Sequence, residues 1–169
     1  MLSRTRSQNR TRSQRGQATA EFALVSIVFF FLVFGIIDGA RLFESWVTLQ
    51  HAAREGARYA ITGQVDCAGY AGDREACITE KAMAATEGLS GGGLGGADVA
   101  VTFVAWEYPD YTNPPVDDSA GDQCDAIEVR VTYTHEFAFP LLKAIAPSGV
   151  DMTGSQRMIN EPFGPCIVE

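Results

Sequence analysis

Apolar and polar positions give the chain a sequence of distinct textures. Across residues 22–37 every position is uncharged and nearly all are apolar, the texture of a helix surrounded by lipid. Across 38–63 the pattern turns periodic: Leu42, Trp46, Leu49, Ala53, Ala57 and Ala60 recur at steps of three and four, with Glu44, Thr48, His51, Glu55 and Arg58 on another face. This predicts one helix that changes from uniformly apolar to amphipathic. Thr62 and Gly63 supply its stop, because glycine takes the left-handed C-terminal cap conformation at no steric cost.

Beyond residue 63 the textures shorten. "REACITEKAMAATEG" (74–88) predicts a second helix ending at Gly88, and "SGGGLGG" (90–96) a flexible connector. "DVAVTFVAW" (98–106) is rich in β-branched residues and reads as a strand. "AIEVRVTYT" (126–134) alternates, with Ile127, Val129, Val131 and Tyr133 on a packed face and Glu128, Arg130, Thr132 and Thr134 on a wet one. A third strand over 150–159 is weaker, because Gly154 interrupts it. Two or three antiparallel strands covered by the amphipathic half of the long helix make an α+β domain.

Charge sharpens the division. Five of the 13 basic residues (Arg4, Arg6, Arg10, Arg12 and Arg15) lie in the first 16 positions with no acid among them, leaving eight basic residues against 21 acidic ones. A basic arm suits nucleic-acid phosphates. One that runs straight into an apolar segment instead holds that flank in the cytoplasm by the positive-inside rule, so no nucleic-acid partner is expected and the chain after residue 37 is expected outside. The uncharged run measures only about 24 Å of helix against a hydrocarbon core of about 30 Å; starting at Gln17 it reaches about 31 Å, provided Glu21 is tolerated in its first turns. A cleaved secretory signal fits less well, since the small residues Gly16, Ala18 and Ala20 precede the apolar core, which ends in Ile36, Ile37 and Asp38. The expected organisation is a basic leader over 1–16, a transmembrane helix half over 17–37, an amphipathic half over 38–63 and an extracytoplasmic α+β domain over 64–169.

Candidate chemistry adds little to this picture. Cys67, Cys77, Cys124 and Cys166 all fall in the exterior part, where an even number favours disulfides; of three connectivities, Cys67 with Cys77 and Cys124 with Cys166 is favoured. Zinc is disfavoured, with no CxxC pair and neither His51 nor His135 at ligand spacing. The glycine run is not a phosphate loop, because no Gly-Lys-Ser/Thr follows it. Glu107, Asp110, Asp117, Asp118, Asp122 and Asp125 suggest calcium, but their spacing matches no EF-hand, and a solvated acidic loop anchored by Tyr108 and Tyr111 is the simpler expectation. No nucleophile, neither Ser26 nor Ser45, pairs with a histidine by motif, so neither an enzyme nor a cofactor is expected.

"RGQATAEFALV" at 15–25 and "QHAAREGARYAITG" at 50–63 together resemble the TadE-like family, minor pilins or pseudopilins of the tight-adherence (Tad/Flp) pilus system. "VRVTYTHEFAFP" and "QRMINEP" are similar to that family's C-terminal pattern. The resemblance implies a type IV pilin-like fold and cleavage by a prepilin peptidase between Gly16 and Gln17, which makes Glu21 the fifth mature residue and an assembly determinant. Its implied partners are the peptidase, other pilin and Tad assembly subunits and the inner membrane, with the N-terminus cytoplasmic. Its implied role is pilus initiation or tip formation and adhesion. The four cysteines depart from the family's expected pattern. The competing reading is a permanently anchored single-pass protein whose exterior domain binds a ligand outside any pilus.

Overall fold

The computed structural model describes residues 6–67, 69–70, 72–87, 99–162 and 165–166, with side chains from residue 16 onward. The expected connector over 90–96 lies outside the described residues, and the second helix stops at Ala84, capped at Ala85, rather than running to Gly88 as expected. The elements run α1 (Arg6–Ala60), α2 (Arg74–Ala84), β1 (Val99–Trp106), β2 (Val116–Asp117), β3 (Ala126–His135), α3 (Pro140–Ile145) and β4 (Val150–Ile159). By compactness the chain forms two units, Met1–Ala40 and Arg41–Glu169.

In the second unit the strands make one antiparallel sheet in the order β2-β1-β3-β4. Phe103 of β1 lies opposite Val129 of β3, which lies opposite Gln156 of β4. The strict alternation of β3 sets this register, since a one-residue slip would turn its apolar row to solvent. Ile127, Val129, Val131 and Tyr133 are indeed buried, together with His135 at the strand's end. The α1 residues Leu49, Ala52, Ala53, Ala57 and Ala60 pack on that row, joined by Ile78 and Ala82 of α2, Phe103 and Met152. The fold is α+β, a long N-terminal helix packed by its later part on an antiparallel sheet, in a pilin-like arrangement.

The helix seam differs from the sequence expectation by one position. Trp46 is 46% exposed, whereas Ser45 is buried and stands in line with Leu49, Ala52, Ala53 and Gly56. Small residues win because helix and sheet come too close for an indole. A Cβ on Gly154 would run into the backbone carbonyl of Leu49, and one on Gly56 would lie 3.1 Å from the Ala82 side chain and 3.2 Å from that of Val129. Gly154 therefore does not interrupt β4, which runs unbroken through it; it is where the helix backbone rests on the strand.

Gly63, at φ 66°, ends the helix as expected, its N–H reaching the Ala60 carbonyl at 3.3 Å. Asp73 caps α2 by accepting from the Ala76 N–H at 2.9 Å. The two-residue edge strand β2 and the six-residue α3 are additions to the sequence reading. Disulfides join Cys67 to Cys77 and Cys124 to Cys166.

Candidate functional site

The first unit holds the residues singled out for processing and assembly. Gly16 lies inside α1, and among the described residues nothing comes within 4 Å of where its Cβ would sit. Glycine in a helix interior is less favourable than alanine by about 1 kcal/mol, so the backbone opens more readily there than in the flanking turns. One turn on, the Gln17 side-chain amide donates to the Glu21 carboxylate at 3.2 Å. Helical spacing of i and i+4 brings these two side chains to one face.

From Phe22 onward the helix is apolar on every side. Phe22, Leu24, Ile27, Val28, Phe30, Leu32 and Ile36 are all exposed, and Leu24, Val25, Val28, Phe29 and Leu32 line one apolar groove. Phe29 meets Phe30 edge-on at 5.5 Å, and Phe30 stacks near Phe34 at 6.2 Å. The Ser26 hydroxyl folds back on the Phe22 carbonyl at 2.8 Å, so the run's polar group is satisfied within the helix. A helix hydrophobic all round and, among the described residues, uncovered along its apolar run suits lipid, and this one has the length and composition of a membrane anchor or signal.

The acids between β1 and β3 are used separately. Asp125 accepts from the N–H groups of Tyr108 (2.8 Å) and Asp122 (2.7 Å). Asp110 accepts from the hydroxyl and N–H of Thr112, and these bonds hold its carboxyl below the usual range. Among the described residues no three His, Cys, Asp or Glu side chains gather where a metal could sit. Tyr111 donates to the Cys124 carbonyl at 2.7 Å, and its ring meets that of Tyr108 at 6.4 Å, so both tyrosines work inside the loop.

The sequence did not pair Ser45 with His135; the structure brings Ser45 Oγ to 3.4 Å from His135 Nδ1. This is not a nucleophile poised by a base. His135 is 1% exposed, and the serine hydroxyl already donates to the Arg41 carbonyl at 3.0 Å. The contact ties the end of β3 to the helix.

A second cluster was also missed. Arg74 donates to the carbonyls of Gly121 (2.6 Å) and Ala60 (2.7 Å), satisfying a carbonyl at the end of α1. Burial lowers its pKa, against the opposing pull of Asp122, Glu75 and Asp125. Buried Asn160 donates its side-chain amide to Ala120 and Asp122 and its N–H to Asp125, while Glu161 N–H reaches the Ile61 carbonyl at 3.0 Å. The only sequence signal for this knot was the asparagine that follows the last strand in "RMINEP".

Residues 16–58 match the family model described as TadE-like protein. Comparison with curated proteins and with solved structures gives no match.

Proposed function

We propose that this protein is a minor pilin or pseudopilin of a Tad-type pilus, processed by a prepilin peptidase between Gly16 and Gln17. It then acts in assembly initiation or at the tip, and in adhesion. The observation that carries this reading is the extent of the TadE-like match, which starts at Gly16 itself and runs through the apolar stretch into the amphipathic half of α1. An apolar helix exposed along its apolar run supports a membrane-held precursor, and after cleavage it offers the surface on which neighbouring subunits pack. The five arginines before Gly16 keep the cut site on the cytoplasmic side.

The role is that of a substrate and subunit, with the peptidase, other pilins and Tad assembly proteins as partners in the inner membrane. Cleavage hydrolyses the Gly16–Gln17 peptide bond and creates a new α-amino group one turn from Glu21. N-terminal sequencing and intact mass of the protein from cells carrying the peptidase test this. A start at Gln17 is expected. A start at Met1 overturns the reading and leaves a permanently anchored protein with an exterior binding domain.

A further inference from the structure

The two edge strands of the sheet are finished differently. Strand β2 is two residues long, follows Pro114 and Pro115, and is left through Asp118 at φ 55°. So short an edge strand, bounded by proline, is a poor template for another strand. Strand β4 runs ten residues in one unbroken register with β3, from Val150 opposite His135 to Ile159 opposite Ala126, with no proline, lysine or bulge to blunt it.

One bond fixes the direction of its amides. Asn160 continues the register opposite Asp125 and donates its N–H to the Asp125 carbonyl at 2.8 Å. Backbone groups alternate in direction along a strand, so the even-numbered residues of β4 face β3, while Asp151, Thr153, Ser155, Arg157 and Ile159 face away from it. Glu161 obeys the same alternation, its N–H turning from β3 to the Ile61 carbonyl. All five outward residues are exposed. Among the described residues, their backbone groups take one bond, from the Gln156 side-chain amide to the Arg157 carbonyl at 3.1 Å. The charges of the strand are drawn back into the sheet: Asp151 accepts from the Thr134 hydroxyl at 2.7 Å, and the Arg157 guanidinium lies 3.9 Å over the Trp106 ring. What the edge leaves open is main chain.

A second copy pairing through its own β4 about a two-fold axis does not fit. The α1 backbone at Leu49 rests on Gly154, so each copy would bring a helix over its own edge strand. Those helices would lie about one strand spacing apart, about 4.8 Å, where helix axes need about 8–10 Å. A strand without a helix over it fits. Its charge follows from the unit it meets: of the 21 acidic residues only Glu21 and Asp38 precede Arg41, whereas five of the 13 basic ones do, so Arg41–Glu169 is strongly acidic and attracts a basic segment.

We infer that the outer edge of β4 is a docking site for an extended, basic segment of a partner protein, which joins the four-stranded sheet as a fifth strand through the backbone of Asp151, Thr153, Ser155 and Arg157. Main-chain bonds supply the affinity and the acidic field selects the charge. The site lies wholly within Arg41–Glu169 and stands whether or not the chain enters a pilus.

The test uses the full chain in detergent, with both disulfides verified by mass, and an end-blocked peptide of alternating valine and lysine as the probe, read by residue-resolved amide hydrogen exchange. The peptide should slow exchange several-fold at Asp151, Thr153, Ser155 and Arg157 and leave Met152, Gly154 and Gln156, which already bond to β3, unchanged. Ser155→Pro removes an N–H that β3 does not use, so it should keep the far-ultraviolet spectrum and lose the effect. A fully N-methylated peptide of the same sequence should also have no effect, and it decides the matter without altering the protein. Unchanged exchange overturns the inference, as does slowing of both rows alike, slowing that survives N-methylation, or an equal effect from a valine–glutamate peptide. Protection of the outward row in the chain alone that rises with its concentration would make the occupant a second copy and overturns it too.

Discussion

Gly154 and Glu21 each look like a defect in the element that carries it, and Gly154 is explained by the helix backbone that approaches it. For Gly154 two effects compete in a Gly154→Val variant. Valine raises β propensity, on a scale that spans about 1 kcal/mol. It also drives a side chain into the Leu49 backbone, which has no rotamer to yield, and overpacking of this kind typically costs about 1–3 kcal/mol. The clash wins, so Gly154→Val should lower unfolding stability by about 1–2 kcal/mol in denaturant titrations of the detergent-solubilised chain; a stabilised variant would mean the glycine only interrupts the strand. For Glu21, a charge at the centre of a membrane helix costs about 2.5–3.5 kcal/mol, and less near an end, so alanine there should not hinder insertion. The side-chain amide of Gln17 already reaches this carboxylate, and cleavage would add a cationic amine on the same residue. Glu21→Ala is expected to leave membrane insertion and processing intact and to reduce the amount recovered with pili, measured by fractionation and mass. Cyclisation of Gln17 would consume both the amide and the amine, so the mature N-terminal mass reports which partner the acid keeps.

At the scale of elements, the end of α1 depends on a side chain from the next helix. Arg74 satisfies the Ala60 carbonyl and holds Gly121 with the same guanidinium. Arg74→Met should destabilise the domain by about 2 kcal/mol, since hydrogen bonds to charged groups are worth about 1.5–3 kcal/mol and the site is only half-buried. Arg74→Lys should recover little of it, because an ammonium lacks the fork that spans two carbonyls. Urea midpoints of the three proteins check the order. The sequence announced elements whose periodicity is set by burial on one side: the alternating row of β3 and the glycine stop of α1 are where the pattern put them. Along α1 it put Leu42, Leu49, Ala53, Ala57 and Ala60 on the packed side and misplaced Trp46, which faces outward, because Ser45, with little hydrophobic signal, takes the buried position beside it. Strand β2 is two residues long, too short for any period, and α3 has no buried face to impose one. The knot of Arg74, Asp125 and Asn160 joins residues far apart in sequence through backbone carbonyls and amides, which no side-chain pattern encodes. The long apolar helix was legible because its information is local, an unbroken uncharged run over 22–37.

For the whole molecule, the two disulfides are unequal. Cys67 and Cys77 are 10 residues apart and Cys124 and Cys166 are 42 apart. Loop-closure entropy assigns them about 3 and about 4 kcal/mol. The Cys124→Ser/Cys166→Ser variant should therefore melt below the Cys67→Ser/Cys77→Ser variant, and equal losses would show that native packing, not the unfolded chain, sets their worth. Both bonds favour an oxidising compartment, which agrees with the proposed extracytoplasmic side. Strand β4 follows α1 in the same direction, since His135, paired with Val150, meets Ser45, Gly154 rests on Leu49 and Glu161 bonds to Ile61, and this parallel course has a mechanical consequence. Pulling on the helix along its axis loads Ser45 on His135, Leu49 on Gly154, Ala60 on Arg74 and Ile61 on Glu161 side by side rather than one after another. The joint is loaded in shear, so tension arriving through the N-terminal helix is shared among all its contacts, and the domain follows the helix before it peels away.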